Sequence, residues 1–317
     1  MKKIPLIVVA GATASGKTAL AIEIAKQFDG EIVSADSMQI YKHMDIGTAK
    51  PDENEKSGIP HYLMDFIEPD AKYSVADFVS DAHKMIKGIR IRNKIPIVAG
   101  GTGLYINSLV NDVSFDYETE DSGVRAGLYE FAKREGAEKL RDMLAEFDPE
   151  SAQRIPLGNV RRIVRAIEIY KLTGRTMTEH NAETQKKESR YLPLMLAISW
   201  DREELYGRID KRVDIMLENG LLNEVFGFAK KGYTKKIQSM QGIGYKQLLD
   251  YYRGLSTYEE AVRIIKRDSR RYAKRQITWF KRDKRIKWID SDSDILKQAT
   301  EYTKAFLAEN QQIFSKM

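Results

Sequence analysis

The sequence predicts an α/β protein with a parallel sheet at its core and a mainly helical insertion. Short apolar runs, of the kind that form strands buried on both faces, occur at 6–10, 31–35, 95–99 and 194–198. The first run leads directly into a glycine-rich motif. Between residues 117 and 190 such runs are absent, charged residues increase and helical spacing dominates. We therefore expect a core made of residues 1–116 and 191–317, interrupted by a helical domain at 117–190.

The glycine-rich motif has the pattern G-x-x-x-x-G-K-T of a phosphate-binding loop. Its glycines permit backbone conformations that turn successive N–H groups toward a phosphate. Lys17 can reach the outer phosphates, and the Thr18 hydroxyl can hold Mg²⁺. Apolar residues at 19, 22, 25 and 28 predict a helix after the loop, and its N-terminus attracts anions. The predicted phosphate site is Gly11, Ala12, Thr13, Ala14, Ser15, Gly16, Lys17 and Thr18; the alternative is a glycine-rich turn without a ligand.

Two more loops are predicted at the same edge of the sheet, because ligands of open α/β sheets bind beyond the carboxyl ends of the strands. Asp36 follows the second strand, and residues 37–41 mix polar and apolar side chains where a substrate could be held. The alternative role of Asp36 is to cap the next helix. Residues 100–105 follow the third strand and suit a close approach to substrate. Ile106 stands where the third glycine of a dinucleotide-binding fingerprint would be, so that fingerprint is not complete.

The periodicity predicts helices over Val75–Ile91 and in the insertion, where Asn159 suits an N-cap and Gly174 a C-terminal stop. Arg161 and Arg165 lie one turn apart on the insertion helix, opposite an apolar face. They form either a solvated or ion-paired surface or a contact with a phosphate backbone.

A later helix carries Arg208 and Arg212, also one turn apart, with Asp210 and Asp214 nearby. The two arginines either clamp an anionic leaving group or pair with those aspartates. The following segment 241–246 is expected to be a flexible polar and aromatic turn that meets a ligand or a single-stranded base.

The segment 266–287 has eleven Lys or Arg residues and two acids, which makes it the most basic part of the chain. Basic pairs recur about every four residues, from Lys266-Arg267 to Lys281-Arg282, and this spacing predicts one side of a helix. Tyr272, Ile277, Trp279 and Phe280 lie between them and can pack inward or stack on bases. The number of basic residues in this segment and their position on one side of the helix favour nucleic acid as the partner over a merely solvated face.

Composition limits the class of protein further. The chain has 317 residues, a net charge of +6 and no cysteine, which excludes disulfides and thiolate metal sites and fits a cytoplasmic setting. No run approaches the length of a membrane span. Met1-Lys2-Lys3 and the apolar run after it imitate a signal peptide, but the run is too short for one.

Taken together, these segments resemble the bacterial tRNA dimethylallyltransferase family, also called tRNA isopentenyltransferase. The resemblance rests on six segments in family order, spread over most of the chain: 11–18, Asp36-Ser37-Met38-Gln39-Ile40-Tyr41, Asp45-Ile46-Gly47-Thr48-Ala49-Lys50-Pro51, 100–105, 161–166 and 241–245. The second of these segments is much more specific than the phosphate loop. Ala12 and His43 depart from the residues that the family often has there.

The resemblance implies a P-loop, nucleotide-kinase-like α/β core in which the helical insertion binds tRNA. It implies transfer of a dimethylallyl group from dimethylallyl diphosphate to the N6 amine of the adenosine on the 3′ side of the anticodon. Mg²⁺ is the implied cofactor, and the anticodon stem–loop of tRNA is the implied partner of a monomeric enzyme. Two alternatives stay open: a P-loop kinase of a nucleoside or small metabolite, and a nucleic-acid-binding nucleotide switch.

The resemblance also implies roles for individual residues, by their positions in the matching motifs. Asp36 is the expected general base, Thr18 the Mg²⁺ ligand, Lys17 the diphosphate ligand, and Arg208 the leaving-group arginine with Arg212 as its alternative. The expected tRNA contacts are Asp36, Ser37, Met38, Gln39, Thr102, Arg125, Arg161, Arg165, Met240, Gln241, Gly242, Ile243, Gly244 and Tyr245.

Overall fold

A computed structural model describes residues 3–115, 123–186 and 188–310, without the side chains of 185 and 186. The strands of these ranges are β1 Ile4–Ala10, β2 Gly30–Ser34, β3 His61–Tyr62, β4 Ile95–Gly100, β5 Tyr191–Ser199 and β6 Ile286–Asp290. The helices are α1 Lys17–Gln27, α2 Glu53–Lys56, α3 Val75–Ile91, α4 Gly103–Val110, α5 Val124–Glu135, α6 Ala137–Ala145, α7 Pro149–Arg154, α8 Val160–Thr173, α9 Met177–Lys186, α10 Arg202–Glu218, α11 Leu221–Lys230, α12 Tyr245–Tyr252, α13 Tyr258–Phe280 and α14 Ile295–Glu309.

The chain divides into two compact units, residues 1–110 with 190–317 and residues 111–189. All six strands belong to the first unit and form one parallel sheet in the order β3-β2-β4-β1-β5-β6. The α/β class and the parallel sheet are thus confirmed. β3, β6 and α14 are not among the elements predicted from the sequence, because their apolar residues are few or interrupted by charge.

Helices cover both faces of the sheet, so β1 is buried on both sides. Ile7 and Val9 pack in a cluster with α1 and α14. Leu6 and Val8 point to the other face and are equally inaccessible to solvent. A strand covered on both faces needs a continuous apolar run, and this is the pattern that predicted β1.

Local sequence signals set several helix ends. Ser74 and Asp77 form a capping box at the start of α3, whose bounds match the predicted 75–91. Asn159 caps α8 by accepting a hydrogen bond from the Arg162 amide, and Gly174 ends it in the left-handed conformation. Both predictions for this helix are confirmed. Within the second unit, α5, α6, α7 and α8 enclose their own apolar cluster, which includes Leu140 and Ile167.

Candidate functional site

The phosphate loop joins β1 to α1 at the carboxyl edge of the sheet. Ala14 and Gly16 have φ of +62° and +88°, so two residues of the loop have left-handed backbone conformations, which help to turn N–H groups toward an anion. The helix α1 begins at Lys17 without a side-chain cap, which leaves its first N–H groups for an anion. Lys17 Nζ donates a hydrogen bond to the Ala12 carbonyl at 3.2 Å. The loop is therefore shaped for an anion before one binds.

Lys17 lies in an electrostatic environment that favours an anionic ligand. Burial and, second, the charge of Arg212 lower the pKa of Lys17 to about 8, while Asp36 acts in the opposite direction. Burial also lowers the pKa of Arg212, and Asp36 again opposes this. Two desolvated cations and one carboxylate thus share this edge of the sheet. An added diphosphate would supply the negative charge that the two cations lack.

The structure gives Arg208 and Arg212 different positions. Arg208 is exposed, donates from Nε to the Ala14 carbonyl at 3.0 Å and stacks 4.0 Å from the centre of the Trp200 ring. Trp200 Nε1 donates to the Ser15 carbonyl at 3.0 Å, so both side chains hold the loop from outside. Arg212 is the more buried arginine of the two.

The alternative of Asp–Arg pairing along α10 does not hold, because these aspartates bind α13 instead. Asp210 pairs with Arg270 at 2.6 Å, and Asp214 pairs with Lys266 at 2.6 Å. Arg208 and Arg212 are therefore left for the loop and its ligand.

A cavity of about 890 Å³ opens beside the loop. Its lining includes Lys17, Thr18, Arg208 and Arg212, together with residues of the loop 45–52. Its walls also carry apolar groups such as Ile46, Ile215 and Met216. Polar anion ligands next to apolar walls suit a ligand that has a charged end and a hydrocarbon end.

Asp36 caps a turn and not the next helix, and its role as a base stays a prediction. Its Oδ1 accepts hydrogen bonds from the amides of Met38 at 2.9 Å and Gln39 at 3.4 Å, which caps the turn after β2. Its Oδ2 accepts no hydrogen bond from the described residues. One oxygen thus holds the turn in place, and the other has no such contact.

Thr102 joins the turn after β2 to the loop after β4. Its Oγ1 accepts from the Ser37 amide at 3.0 Å, and its own amide donates to the Ala35 carbonyl at 3.1 Å. A Cβ at Gly100 would lie 2.2 Å from the Ala35 carbonyl oxygen, so only glycine permits this approach. The strand β4 lies between β2 and β1, and its loop thus lies between Asp36 and the phosphate loop.

Two side chains on one face of α13, Tyr272 and Gln276, contact these loops, and Gln276 was not predicted. Gln276 accepts from the Thr13 amide at 2.9 Å and donates to the Gly101 carbonyl at 2.9 Å. Tyr272 lies within hydrogen-bonding reach of Thr102; burial and then the charge of Asp36 raise its pKa to about 12. The sequence signal that could have predicted Gln276 is a polar residue on the inward face of an amphipathic helix.

The segment 240–245 differs from the flexible turn that was expected. Met240 and Tyr245 have no exposed surface, and the Tyr245 hydroxyl donates to Glu224 Oε1 at 2.5 Å. Their side chains therefore do not offer a surface to RNA, because the core of the first unit uses them. Gln241 is exposed, and a Cβ at Gly242 would lie 2.6 Å from Met38 Cε. The accessible part of the turn is 241–243, next to Met38.

The basic residues of the segment 266–287 differ in their surroundings, because some form ion pairs and others are exposed. Lys266 and Arg270 pair with α10, whereas Arg271, Lys274 and Arg275 are exposed. The helix ends at Phe280, so Lys281-Arg282 lie in the turn after it and not on its face. Exposed basic residues thus remain for a polyanion in the middle of the helix, and also beyond its end at Lys281 and Arg282.

The arginines of the second unit also differ in their surroundings. Arg125 and Arg165 both pair with the buried carboxylate of Glu168, at 2.9 and 2.7 Å. Arg161 is exposed and forms no ion pair with a described residue. The ion-paired alternative thus applies to Arg165, and Arg125 is ion-paired as well. For Arg161 the solvated surface and the phosphate contact both stay open.

Two general features complete the description. In the described ranges, no group of three or more His, Asp or Glu side chains is arranged to hold a metal ion. None of the helices described here combines the length and the apolar character that a bilayer span requires.

Comparisons with known proteins agree with each other. A family model described as "IPP transferase" matches residues 39–283, and one described as "Isopentenyl transferase" matches residues 4–68. The tRNA dimethylallyltransferase of Acetivibrio thermocellus is 51% identical over 306 residues, which is 95% of this chain and 98% of that protein. The one from Clostridioides difficile is 49% identical over 92% of this chain and 93% of that protein.

Solved structures give the same result. The tRNA isopentenylpyrophosphate transferase of Bacillus halodurans superimposes with a TM-score of 0.73 at 40% identity, covering 99% of both chains. A eukaryotic dimethylallyltransferase described as acting on tRNA gives a TM-score of 0.82 at 30% identity, over 99% of this chain and 80% of that one. The P-loop-like fold and the resemblance predicted from the sequence are thereby confirmed, and this chain belongs to the IPP transferase family.

Proposed function

We propose that this protein transfers the dimethylallyl group of dimethylallyl diphosphate to the N6 amine of the adenosine on the 3′ side of the tRNA anticodon. Membership of the family supports this reaction. The observation that carries it is the common edge shared by Lys17, Arg212 and the half-engaged carboxylate of Asp36. This edge combines an anion site for a leaving diphosphate with a base for the nucleophile.

The chemistry follows from these groups. The N6 amine forms a bond to C1 of the allylic group while the C1–O bond to the diphosphate breaks. Charge grows on the diphosphate as it leaves, and Lys17, Arg212 and the amides of the loop stabilise it there. The proton lost by N6 goes to Oδ2 of Asp36. Arg208 acts on the Ala14 carbonyl side of the loop, so Arg212 is the stronger candidate for the leaving-group arginine.

Mg²⁺ fits this site. Thr18 lines the cavity beside Lys17, and a Mg²⁺ that is held by one hydroxyl and by substrate phosphates needs no cluster of protein carboxylates. Thr18 would hold the ion, which would neutralise charge on the diphosphate when bound.

For tRNA we propose four contact regions: the turn 36–39 with Thr102 at the base pocket, the accessible residues 241–243, the exposed basic residues of α13, and Arg161 of the second unit. We propose that the second unit is a tRNA-binding insertion. The adenine must leave its stack to reach Asp36. We further propose that the protein acts as a monomer in the cytoplasm.

A transfer assay tests the proposal. Labelled dimethylallyl diphosphate, Mg²⁺ and unmodified tRNA are mixed with wild type, Asp36→Asn or the exposed-site control Asp292→Asn. The Asp36→Asn variant keeps an oxygen for the Met38 amide but has no basic carboxylate, so we expect the transfer rate to fall about 10²–10⁴-fold. The control should equal wild type.

Label on tRNA that does not depend on Asp36 would contradict the assignment of the base. No label with wild type would contradict the function. ATP-dependent phosphorylation of a small substrate, or ATP hydrolysis without transfer, would then favour the kinase or the nucleotide switch.

A further inference from the structure

The carboxylate of Glu224, at the start of α11, accepts four hydrogen bonds. Its Oε2 accepts from the amides of Asp45 at 2.9 Å and Ile46 at 2.8 Å. Its Oε1 accepts from the Gly47 amide at 3.1 Å and from the Tyr245 hydroxyl at 2.5 Å. A carboxylate has about four acceptor sites, and here all four are used. Glu224 thus joins three successive amides of the loop 45–50 to the segment 240–245.

This arrangement requires an ionised acid. A glutamine of the same shape would turn an NH₂ group toward two donors, because every partner of the carboxylate is itself a donor. The Tyr245 hydroxyl stays a donor because burial, and then Glu224, raise its pKa well above the usual value. Contact with the ring is also close: a Cβ at Gly47 would lie 2.6 Å from Tyr245 Cε2.

The loop that Glu224 holds continues to the catalytic turn. Gln39 Nε2 donates to the carbonyls of Thr48 at 3.3 Å and Ala49 at 3.1 Å. The backbone amide of Gln39 in turn donates to Asp36 Oδ1 at 3.4 Å. A continuous set of hydrogen bonds therefore runs from Tyr245 through Glu224, the loop 45–50 and Gln39 to the base.

The same loop also lines the cavity in which we propose that dimethylallyl diphosphate binds. The cavity beside the phosphate loop is lined in part by Asp45, Ile46, Ala49 and Lys50. Lys50 is itself fixed, since its Nζ donates to the Tyr41 carbonyl at 2.5 Å and pairs with Asp45 and Asp65 at 2.7 and 2.6 Å. A displacement of the amides that Glu224 holds would move this part of the cavity lining.

We infer that Glu224 is a positioning residue for the transfer reaction: it fixes the loop 45–50 so that this part of the cavity lining and Asp36 are in place together. The inference rests on the proposed transfer activity. Glu224 is not among the residues that line the cavity, and it acts through the backbone of the loop and through Tyr245.

The test compares wild type, Glu224→Gln and the exposed control Glu301→Gln in single-turnover transfer, with enzyme in excess over tRNA and dimethylallyl diphosphate varied up to saturation. An unfolded fraction of the enzyme does not change the single-turnover rate constant as long as folded enzyme stays in saturating excess over tRNA. We expect Glu224→Gln to lower the rate constant about 10- to 100-fold and to raise the KM for dimethylallyl diphosphate about fivefold. The control should be unchanged.

Tyr245→Phe is the second variant, because it removes one donor and keeps the buried ring. We expect a decrease of about three- to tenfold, with little further effect when it is added to Glu224→Gln. Rate constants within twofold of wild type in both variants would overturn the inference, even if the thermal midpoints fall. Should Glu224→Gln not fold, Tyr245→Phe alone decides by the same criterion. A wild type without transfer activity would instead contradict the proposed function.

Discussion

Lys17 shows how position changes the chemistry of one side chain. Its amine is desolvated beside a second cation, Arg212, and this lowers its pKa to about 8. The free enzyme therefore holds the lysine near the point where it loses its charge. A bound diphosphate would favour the charged form and raise the pKa again. Donor binding and protonation of Lys17 are thus expected to be linked.

This linkage predicts a pH dependence. The value of kcat/KM for dimethylallyl diphosphate should fall above about pH 8, because the neutral amine no longer attracts the diphosphate and kcat/KM reports the free enzyme. The value of kcat should fall only at higher pH. Lys17→Arg should have lower activity but no decrease between pH 8 and 9.5, because arginine keeps its charge. Initial rates from pH 6.5 to 9.5 measure this, and a flat wild-type profile would contradict the lowered pKa.

At the scale of elements, α13 has two faces with different tasks. Tyr272, Gln276 and Trp279 follow the i, i+4, i+7 spacing of one face and contact the loops of the site. Basic residues occupy the other positions, some paired with α10 and some exposed. The helix that is expected to meet RNA thus also holds the phosphate loop.

Gly101 tests the inward face. A Cβ there would lie 2.3 Å from Gln276 Nε2. We expect Gly101→Ala to displace Gln276 from the Thr13 amide, to destabilise the fold by about 1–3 kcal/mol, and to weaken donor binding. Gly127→Ala in α5 is the matched control, because a Cβ there meets nothing within 4 Å. Denaturant melts and pyrophosphate titration measure both effects; equal behaviour of the two variants would contradict this account of Gly101.

Lys274 and Arg270 test the basic face. Lys274 is exposed and forms no ion pair with a described residue, so Lys274→Ala should weaken tRNA binding and reduce the slope of log K against log salt by about 1. Its thermal midpoint should not change. Arg270→Ala breaks the pair with Asp210 and should instead lower stability by about 0.5–1 kcal/mol. An unchanged salt slope for Lys274→Ala would mean that α13 does not contact tRNA there.

At the scale of the whole molecule, the two units have separate apolar cores. The sheet with α1 and α14 encloses one, and α5 to α8 enclose the other. The phosphate loop, Asp36 and Glu224 all belong to the first unit. We therefore expect donor binding to depend on the first unit alone.

Leu140→Ala tests that independence. Leu140 is fully buried in α6, and its truncation should destabilise the second unit by about 2–4 kcal/mol. We expect tRNA affinity to fall while pyrophosphate affinity stays within about twofold of wild type. Leu255→Ala, at an exposed position, is the control. A parallel loss of pyrophosphate affinity would show that the units do not fold separately.

Much of this protein was accessible from the sequence because the signals are local. A buried strand needs a continuous apolar run, a phosphate loop needs glycine at fixed positions, and α8 needs a cap such as Asn159. These requirements act over a few residues, so β1, the loop and several helix bounds were predicted. The parallel sheet and the common edge of Asp36 and the loop follow from the same patterns.

Partner choice, in contrast, was decided by the tertiary structure. The Thr13 amide finds Gln276 across 263 positions, and Glu224 finds the Asp45 amide across 179. Asp210 and Asp214 pair with α13 although arginines lie closer along their own helix. No short-range pattern encodes these contacts, because a hydrogen bond depends on the distance between atoms in the folded chain and not on their separation in sequence. The sequence by itself determined which groups the site would contain, and the fold decided which of them meet.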